Sequence, residues 1–187
     1  VVPGDVDEIF HGTTVATNAL IERKGAQCGL ITTQGFRDVL ALRRRNRRKP
    51  YGQEVVFEPL ISRAFRLEVS ERSGPDGVVT PVVLDEVTAA AEHLWEAGAE
   101  VVVVSFLHAT RSPENEQAAV QALRNRWPER RVIAASEVCG VASEFERTAT
   151  AAASAYVTPL MATYLDALES RLEEIECRAM LWVVTSD

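Results

Sequence analysis

From residue 85 onward, short apolar runs and helical stripes alternate in strict order, and this alternation constrains the fold more than any other feature. Asp85 is a good N-cap, Val87, Ala90, Ala91 and Leu94 share one helical face, and Gly98 is a stop. Val101 to Phe106 is continuous and mostly β-branched, as expected of a strand covered on both faces. Ser112-Pro113 supplies N-cap and first turn of the next helix, with Val120, Leu123 and Trp127 as its stripe. Val132 to Ala135 reads as a strand. A long helical region follows over residues 143–175, where Tyr156, Leu160, Tyr164, Leu168 and Leu172 recur at i+4 and Pro159 should kink or split it. Arg178 onward reads as a last strand. Strands alternating with helices of this length predict an α/β fold with a largely parallel sheet.

The first half is less regular. Val6 to Phe10 reads as a strand, residues 13–24 as a helix stopped by Gly25, and Cys28 to Thr32 as a second strand. Gly35 to Leu40 suggests a short helix. Phe65 to Val69 alternates with period two, and Pro75-Asp76-Gly77 is a turn leading into a return strand at Val78-Val79. A subdivision into 1–80, a strand–helix–hairpin part, and 81–187, the regular α/β part, follows from this change of texture. No initiator Met opens the chain, and the strand-like run Met180 to Val184 ends three residues before its last residue. We therefore expect residues 1–187 to be a fragment of a longer protein.

Composition narrows the class. With 47% hydrophobic and 25% charged residues, the chain has enough apolar material to fold. No apolar run approaches the roughly 20 residues of a membrane span. Three widely spaced cysteines without C-x-x-C indicate neither zinc nor a redox dithiol, and fit a reducing cytoplasm. The net charge is −7, yet residues 43–49 hold six of the 20 basic residues, leaving 14 against 27 acidic residues elsewhere. This run has no interleaved aromatics, and the acidic remainder would repel a phosphate backbone. It reads first as a solvated loop, next as a small-anion or partner contact, and last as a nucleic-acid patch.

Three stretches could carry chemistry. In His11-Gly12-Thr13-Thr14-Val15-Ala16-Thr17-Asn18, a strand passes into a helix whose first-turn N–H groups are free. Thr14, Thr17 and Asn18 lie at i, i+3 and i+4, hence on one face. The functional reading is a hydroxyl- and amide-lined surface for phosphate or a polar substrate, with His11 as donor or proton carrier. Helix capping by Thr13 or Thr14 and a core-satisfied His11 would use the same residues, and chemistry alone leaves both readings open. In Glu144-Phe145-Glu146-Arg147-Thr148, Glu144 and Arg147 could pair at i, i+3 on a solvated helix face. His108 follows the strongest strand, and ligands in open α/β sheets collect beyond strand carboxyl ends. His93 falls mid-helix without a partner signal. Phosphate-loop, dinucleotide and HExxH patterns are missing, and the histidines are too scattered to predict a metal site.

The stretch from His11 to Gly25 resembles the signature of the hydantoinase A / 5-oxoprolinase family, which acetone carboxylase-type subunits share. The resemblance continues through Ile31 to Leu40, Glu71-Arg72, Asp76-Gly77, Leu107-His108, Pro113 and Glu116. It returns at Ser136 to Val138 and Glu144 to Thr148, with Tyr156, Pro159, Leu160 and Met161, so it runs in order along nearly the whole chain. Phe145, Ala149 and Ser154 depart from the usual Tyr, Ser and Asn. The family's Asp-x-Gly-Gly-Thr phosphate loop is absent, and Asp187 stands in the Asn place of its next glycine-rich loop.

The resemblance implies an acetate kinase–sugar kinase–actin-like (ribonuclease H-like) architecture. It implies an ATP- and Mg²⁺-using enzyme that phosphorylates a lactam or imide oxygen to drive ring opening, as with 5-oxoproline or hydantoins. It also implies a B-type companion subunit or domain and a homo-oligomer in the full enzyme, with no nucleic-acid or membrane partner. The expected catalytic residues are His11, Thr14, Asn18, Glu144 and Arg147. Gly12, Thr13, Thr17, Arg44, His108 and Thr148 are expected to bind substrate or phosphate; Arg47 and Tyr51 also fit the pattern. The alternatives are an ATP-dependent carboxylase subunit and a non-enzymatic α/β interaction module. The fragment by itself is expected to be catalytically silent.

Overall fold

The computed structural model describes residues 6–44 and 57–184. Arg47, Tyr51 and Asp187 lie outside the described residues. The chain divides into two units, one of residues 26–156 and one of residues 1–25 with 157–187. A single four-stranded sheet joins strands from both sides of residue 80.

That sheet belongs to the larger unit. Its strands are β2 (Cys28–Thr33), β3 (Arg66–Val69), β6 (Val101–Ser105) and β7 (Arg131–Ala134), all parallel, in the order β3-β2-β6-β7. Every residue of β2 and β6 is buried, which explains their unbroken apolar runs. Ile31, Val102 and Val104 point toward α3 (Leu84–Glu96) and α4 (Glu114–Arg126), which contribute Val87, Ala91, Leu94, Ala119, Val120 and Leu123 to one core. Helix α3 lies so close to β2 that a Cβ on Gly29 would stand 2.8 Å from Leu94 Cδ1. The edge of Trp95 meets Trp127 at 4.7 Å.

Strand alternation turns Leu30, Val101 and Val103 to the opposite face. There the first turns of α6 (Glu144–Glu174) dock through small buried residues, Ala151, Ala152 and Ala155. The Tyr156 carbonyl accepts from Ala26 N–H at 2.9 Å. The hairpin is β4 (Arg72–Gly74) with β5 (Gly77–Thr80), so β3 is not its first arm but a member of the parallel sheet.

The smaller unit holds β1 (Glu8–Gly12), α1 (Val15–Glu22), the second half of α6 and β8 (Met180–Val184). Strands β1 and β8 pair in parallel as a separate two-stranded sheet. Phe10 and Trp182 stack across it at 6.4 Å while remaining 68% and 46% exposed.

Several boundaries differ from the sequence expectation for local reasons. Helix α1 stops at Arg23, which takes the left-handed conformation (φ 57°), two residues before Gly25. Pro113 occupies the cap of α4, and Ser112 instead donates its hydroxyl to the Gly74 carbonyl at 2.8 Å. Val83 precedes the first turn of α3, with Asp85 inside it. Pro159 does not split α6, since Pro removes one backbone donor and the residues after it, Leu160, Met161 and Ala162, are strong helix formers. The stripe of α6 is only half-buried at Tyr164, Leu168 and Leu172, and Leu160 is exposed. No helix among the described residues is long and apolar enough to cross a membrane.

Burial makes Cys28 an internal reporter of the sheet. Its thiol is pushed up to about 12 by burial first and by the nearby Glu100 charge second. Thiol-reactive dye at pH 8 should spare Cys28 and the buried Cys177 in the native protein, label half-buried Cys139 first, and reach all three after unfolding. Fast native labelling of Cys28 would contradict the packing of β2.

Candidate functional site

In the larger unit, the connection leaving β2 leads to β3 on one side, and the connection leaving β6 leads to β7 on the other. The carboxyl ends of β2 and β6 therefore flank the switch point, where open α/β sheets gather ligands. Here the apolar runs end in hydroxyls. Thr32 stands opposite Ser105 in register and donates to the Ser105 carbonyl at 2.8 Å. Ser105 Oγ and Thr148 Oγ1 lie 2.7 Å apart. These groups line a cavity of about 10 Å³, room for roughly one water. Phe36, Val39, Phe106, Leu107, Glu144 and Arg147 complete its wall.

Arg147 is fully buried and no carboxylate lies within 4.0 Å of it among the described residues. Its guanidinium donates from Nη2 to the Phe106 carbonyl at 2.7 Å, and from Nη1 to the Val141 and Ala142 carbonyls at 3.2 and 3.3 Å. Its Nε–H has no acceptor among the described residues. The expected Glu144–Arg147 pair and the solvated face are thus absent: α6 turns Arg147 and Thr148 inward, where the carbonyls of Phe106, Val141 and Ala142 replace a carboxylate.

The Phe106 backbone is held at its N–H as well. Its N–H donates to Glu116 Oε2 at 2.8 Å, while Ser136 N–H donates to Glu116 Oε1 at 2.8 Å. Burial pushes the Glu116 carboxyl above its ordinary value, against the pull of these hydrogen bonds and of the Arg147 charge. Next to it, Thr33 Oγ1 donates to Glu71 and accepts from Leu107 N–H at 3.0 Å. Asn115 Nδ2 donates to Glu71 Oε2 at 2.8 Å and to the Thr80 carbonyl at 2.9 Å. The loop after β6 is thereby tied to a buried polar network reaching the β4–β5 hairpin.

Two expected residues fall outside the cavity. His108 is half-buried at the next turn, in the left-handed region (φ 56°), and its side chain is not part of the wall. Arg44 is mostly exposed and pairs with Glu146, which Ser143 also contacts. The Ser143 hydrogen bond first, and Arg44 second, hold the Glu146 carboxyl below its usual range. A wider cleft of about 470 Å³ lies along Gly35 to Val39, but its Asp38 carboxylate is taken by Arg63 at 3.0 and 3.2 Å.

The smaller unit carries the other expected group. Thr14, Thr17 and Asn18 are exposed on α1, as their spacing predicts, and Asn18 Nδ2 donates to Thr14 Oγ1 at 3.3 Å. Thr13 Oγ1 accepts from Val15 N–H at 3.2 Å, so Thr13 closes a local turn. Gly12 faces open space. His11 is neither free nor satisfied by the core: its Nε2 meets Tyr164 Oη at 2.7 Å.

Thr32, Thr33, Ser105, Glu71, Asn115 and Glu116 were not picked out as site residues by sequence reasoning. The usable signal was polarity in the wrong place: hydroxyls closing fully apolar strands, and Glu116 four residues before Val120 on a buried stripe.

Residues 1–127 match the family profile described as the hydantoinase/oxoprolinase N-terminal region. Caprolactamase subunit alpha of Pseudomonas jessenii is 31% identical over 91% of this chain and 25% of its own length. The acetophenone carboxylase gamma subunit of Aromatoleum aromaticum is 31% identical over 89% of this chain and 25% of its own. The crystal structure of the ATP-dependent caprolactamase from Pseudomonas jessenii superposes with a TM-score of 0.85 and 29% identity, over 97% of this chain and 27% of that one. The chain thus spans about a quarter of the length of the curated relatives it matches.

The buried clamp makes two predictions. Arg147→Met leaves three carbonyls without their donor, so unfolding in urea should show a loss of at least about 3 kcal/mol. The raised Glu116 carboxyl contributes stability that is fully present below its ordinary value near 4.5 and lost as pH climbs through its folded value. Glu116→Gln should flatten that decline above pH 4.5; an unchanged slope would assign the decline to other groups.

Proposed function

For a chain that belongs to the hydantoinase/oxoprolinase family, we propose the role of N-terminal region in an ATP-dependent enzyme that opens a cyclic amide. The observation that carries this reading is the superposition on the ATP-dependent caprolactamase over 97% of the chain. When bound, ATP supplies a phosphoryl group to the lactam or imide oxygen, making the ring carbonyl labile to water. The remaining three quarters of a family-length protein, a companion subunit, homo-oligomeric assembly and a cytoplasmic location are parts of the same proposal. The companion is supported by the relative's own designation as a subunit.

The residues of this chain fit an oxygen-rich ligand in a specific sense. The α1 surface offers neutral donors, the Thr14 and Thr17 hydroxyls and the Asn18 amide, beside first-turn N–H groups. In this reading His11, Gly12, Thr13, Thr14, Thr17 and Asn18 bind and orient phosphate or substrate oxygens, and backbone donors meet developing charge. Glu144, Arg147 and Thr148 shape the cavity at the sheet switch point, with Arg147 fixing the backbone after β6. Arg44, held by Glu146, and His108, in the following turn, are the outlying contacts. Among the described residues no three His, Cys, Asp or Glu side chains converge as metal ligands.

A second reading, an ATP-dependent carboxylase subunit, is supported by the acetophenone carboxylase relative. One assay separates them. The full-length protein with its companion subunit should hydrolyse ATP in response to 5-oxoproline, a hydantoin or caprolactam, with ring-opened product formed. Response to a ketone with bicarbonate instead would select the carboxylase. Thr14→Val combined with Asn18→Ala should lower turnover by at least about 100-fold with the fold intact, since both side chains are exposed. Full activity in that variant would remove the α1 face from the site. The isolated 187 residues should show no amide-stimulated ATP hydrolysis.

A further inference from the structure

Tyr164 sits on the apolar stripe of α6, where a Phe would pack as well, yet its hydroxyl reaches His11 Nε2 at 2.7 Å. The two rings lie 5.7 Å apart at 31°, so contact and hydrogen bond together define the imidazole plane. His11 is the penultimate residue of β1, directly before Gly12 and the exposed α1 donors. Both residues are half-buried and belong to the same unit.

A phenol O–H is a donor at neutral pH, and a neutral imidazole has one lone pair to offer it. If Tyr164 donates to Nε2, the ring proton is on Nδ1. The contact to Tyr164 engages Nε2 and leaves Nδ1 outside it. We propose that Tyr164 is a positioning residue that fixes His11 as its Nδ1–H tautomer and leaves Nδ1–H to donate to an accepting oxygen of the ligand. This rests on the reading of His11 as part of the site, and deepens it by stating which nitrogen acts and as what. The class of group it selects is a hydrogen-bond acceptor, an amide carbonyl or phosphoryl oxygen. In the opposite arrangement Nε2–H donates to the phenol oxygen, Nδ1 is a bare acceptor, and an accepting oxygen would be repelled. The same contact thus decides between donor and base, as a hydrogen bond to one ring nitrogen of histidine commonly sets the role of the other.

The test uses the full-length protein. Nitrogen-15 NMR of the histidine side chains, with His11→Gln to assign the signal, should show His11 protonated on Nδ1. Tyr164→Phe, which keeps the ring and its packing, should redistribute that proton toward Nε2. It should also lower kcat of the amide-stimulated reaction about three- to tenfold, the scale of one neutral hydrogen bond. In the His11→Gln background, Tyr164→Phe should have no further effect, because coupled residues are non-additive. An Nδ1-protonated His11 unchanged by Tyr164→Phe, a wild-type Nε2–H tautomer, or additive effects of the two substitutions would each overturn the proposal. The NMR arm decides it even if the protein opens no cyclic amide, so failure of the functional reading remains distinguishable.

Discussion

The backbone of Phe106, held at both its N–H and its carbonyl, is the constraint on which the rest of the larger unit depends. Its N–H points to the buried Glu116 carboxylate and its carbonyl to the buried Arg147 guanidinium. An acid on α4 and a base on α6 thereby act through one backbone unit rather than by direct contact. Each charge is solvated by fixed dipoles: two N–H groups for Glu116, three carbonyls for Arg147. Buried ionised groups are costly unless hydrogen-bonded, so neither helix can shift without leaving a charge unsolvated. The loop that closes the cavity is positioned as a consequence.

A second layer of the same logic holds the neighbouring loop. Thr33 links Leu107 N–H to Glu71, and Asn115 links Glu71 to the β4–β5 hairpin. Because Asn115 and Glu116 are adjacent on α4, one helix end serves both networks. The hairpin, which reads in sequence as a peripheral ribbon, is therefore bound to the strand ends at the switch point.

The regular half of the fold was legible because it obeys single-element rules. Residues 101–105 are buried on both faces and look it, and the Val87-Ala91-Leu94 stripe packs where its period says. What failed depended on partners remote in sequence. Arg147 resembles a surface residue of an i, i+3 pair until β6 is placed against α6, and β8 pairs with β1 rather than with the nearer strands. The region of residues 65–69 alternates like a hairpin arm but pairs in parallel with β2, its register set 36 residues upstream by Leu30 opposite Arg66. The α1 face was legible for the opposite reason: it needs no partner, and its three polar residues remain exposed as their spacing requires.

The two groups of polar residues therefore differ in physical kind. Thr32, Ser105, Thr148, Glu116 and Arg147 are buried, and each forms hydrogen bonds whose loss exposes an unsatisfied partner to a low dielectric. Substitution there changes stability before it can report on chemistry. Thr14, Thr17 and Asn18 already face solvent, so removing their polar atoms strands no buried group. His11 lies between these extremes, half-buried with one nitrogen committed to Tyr164.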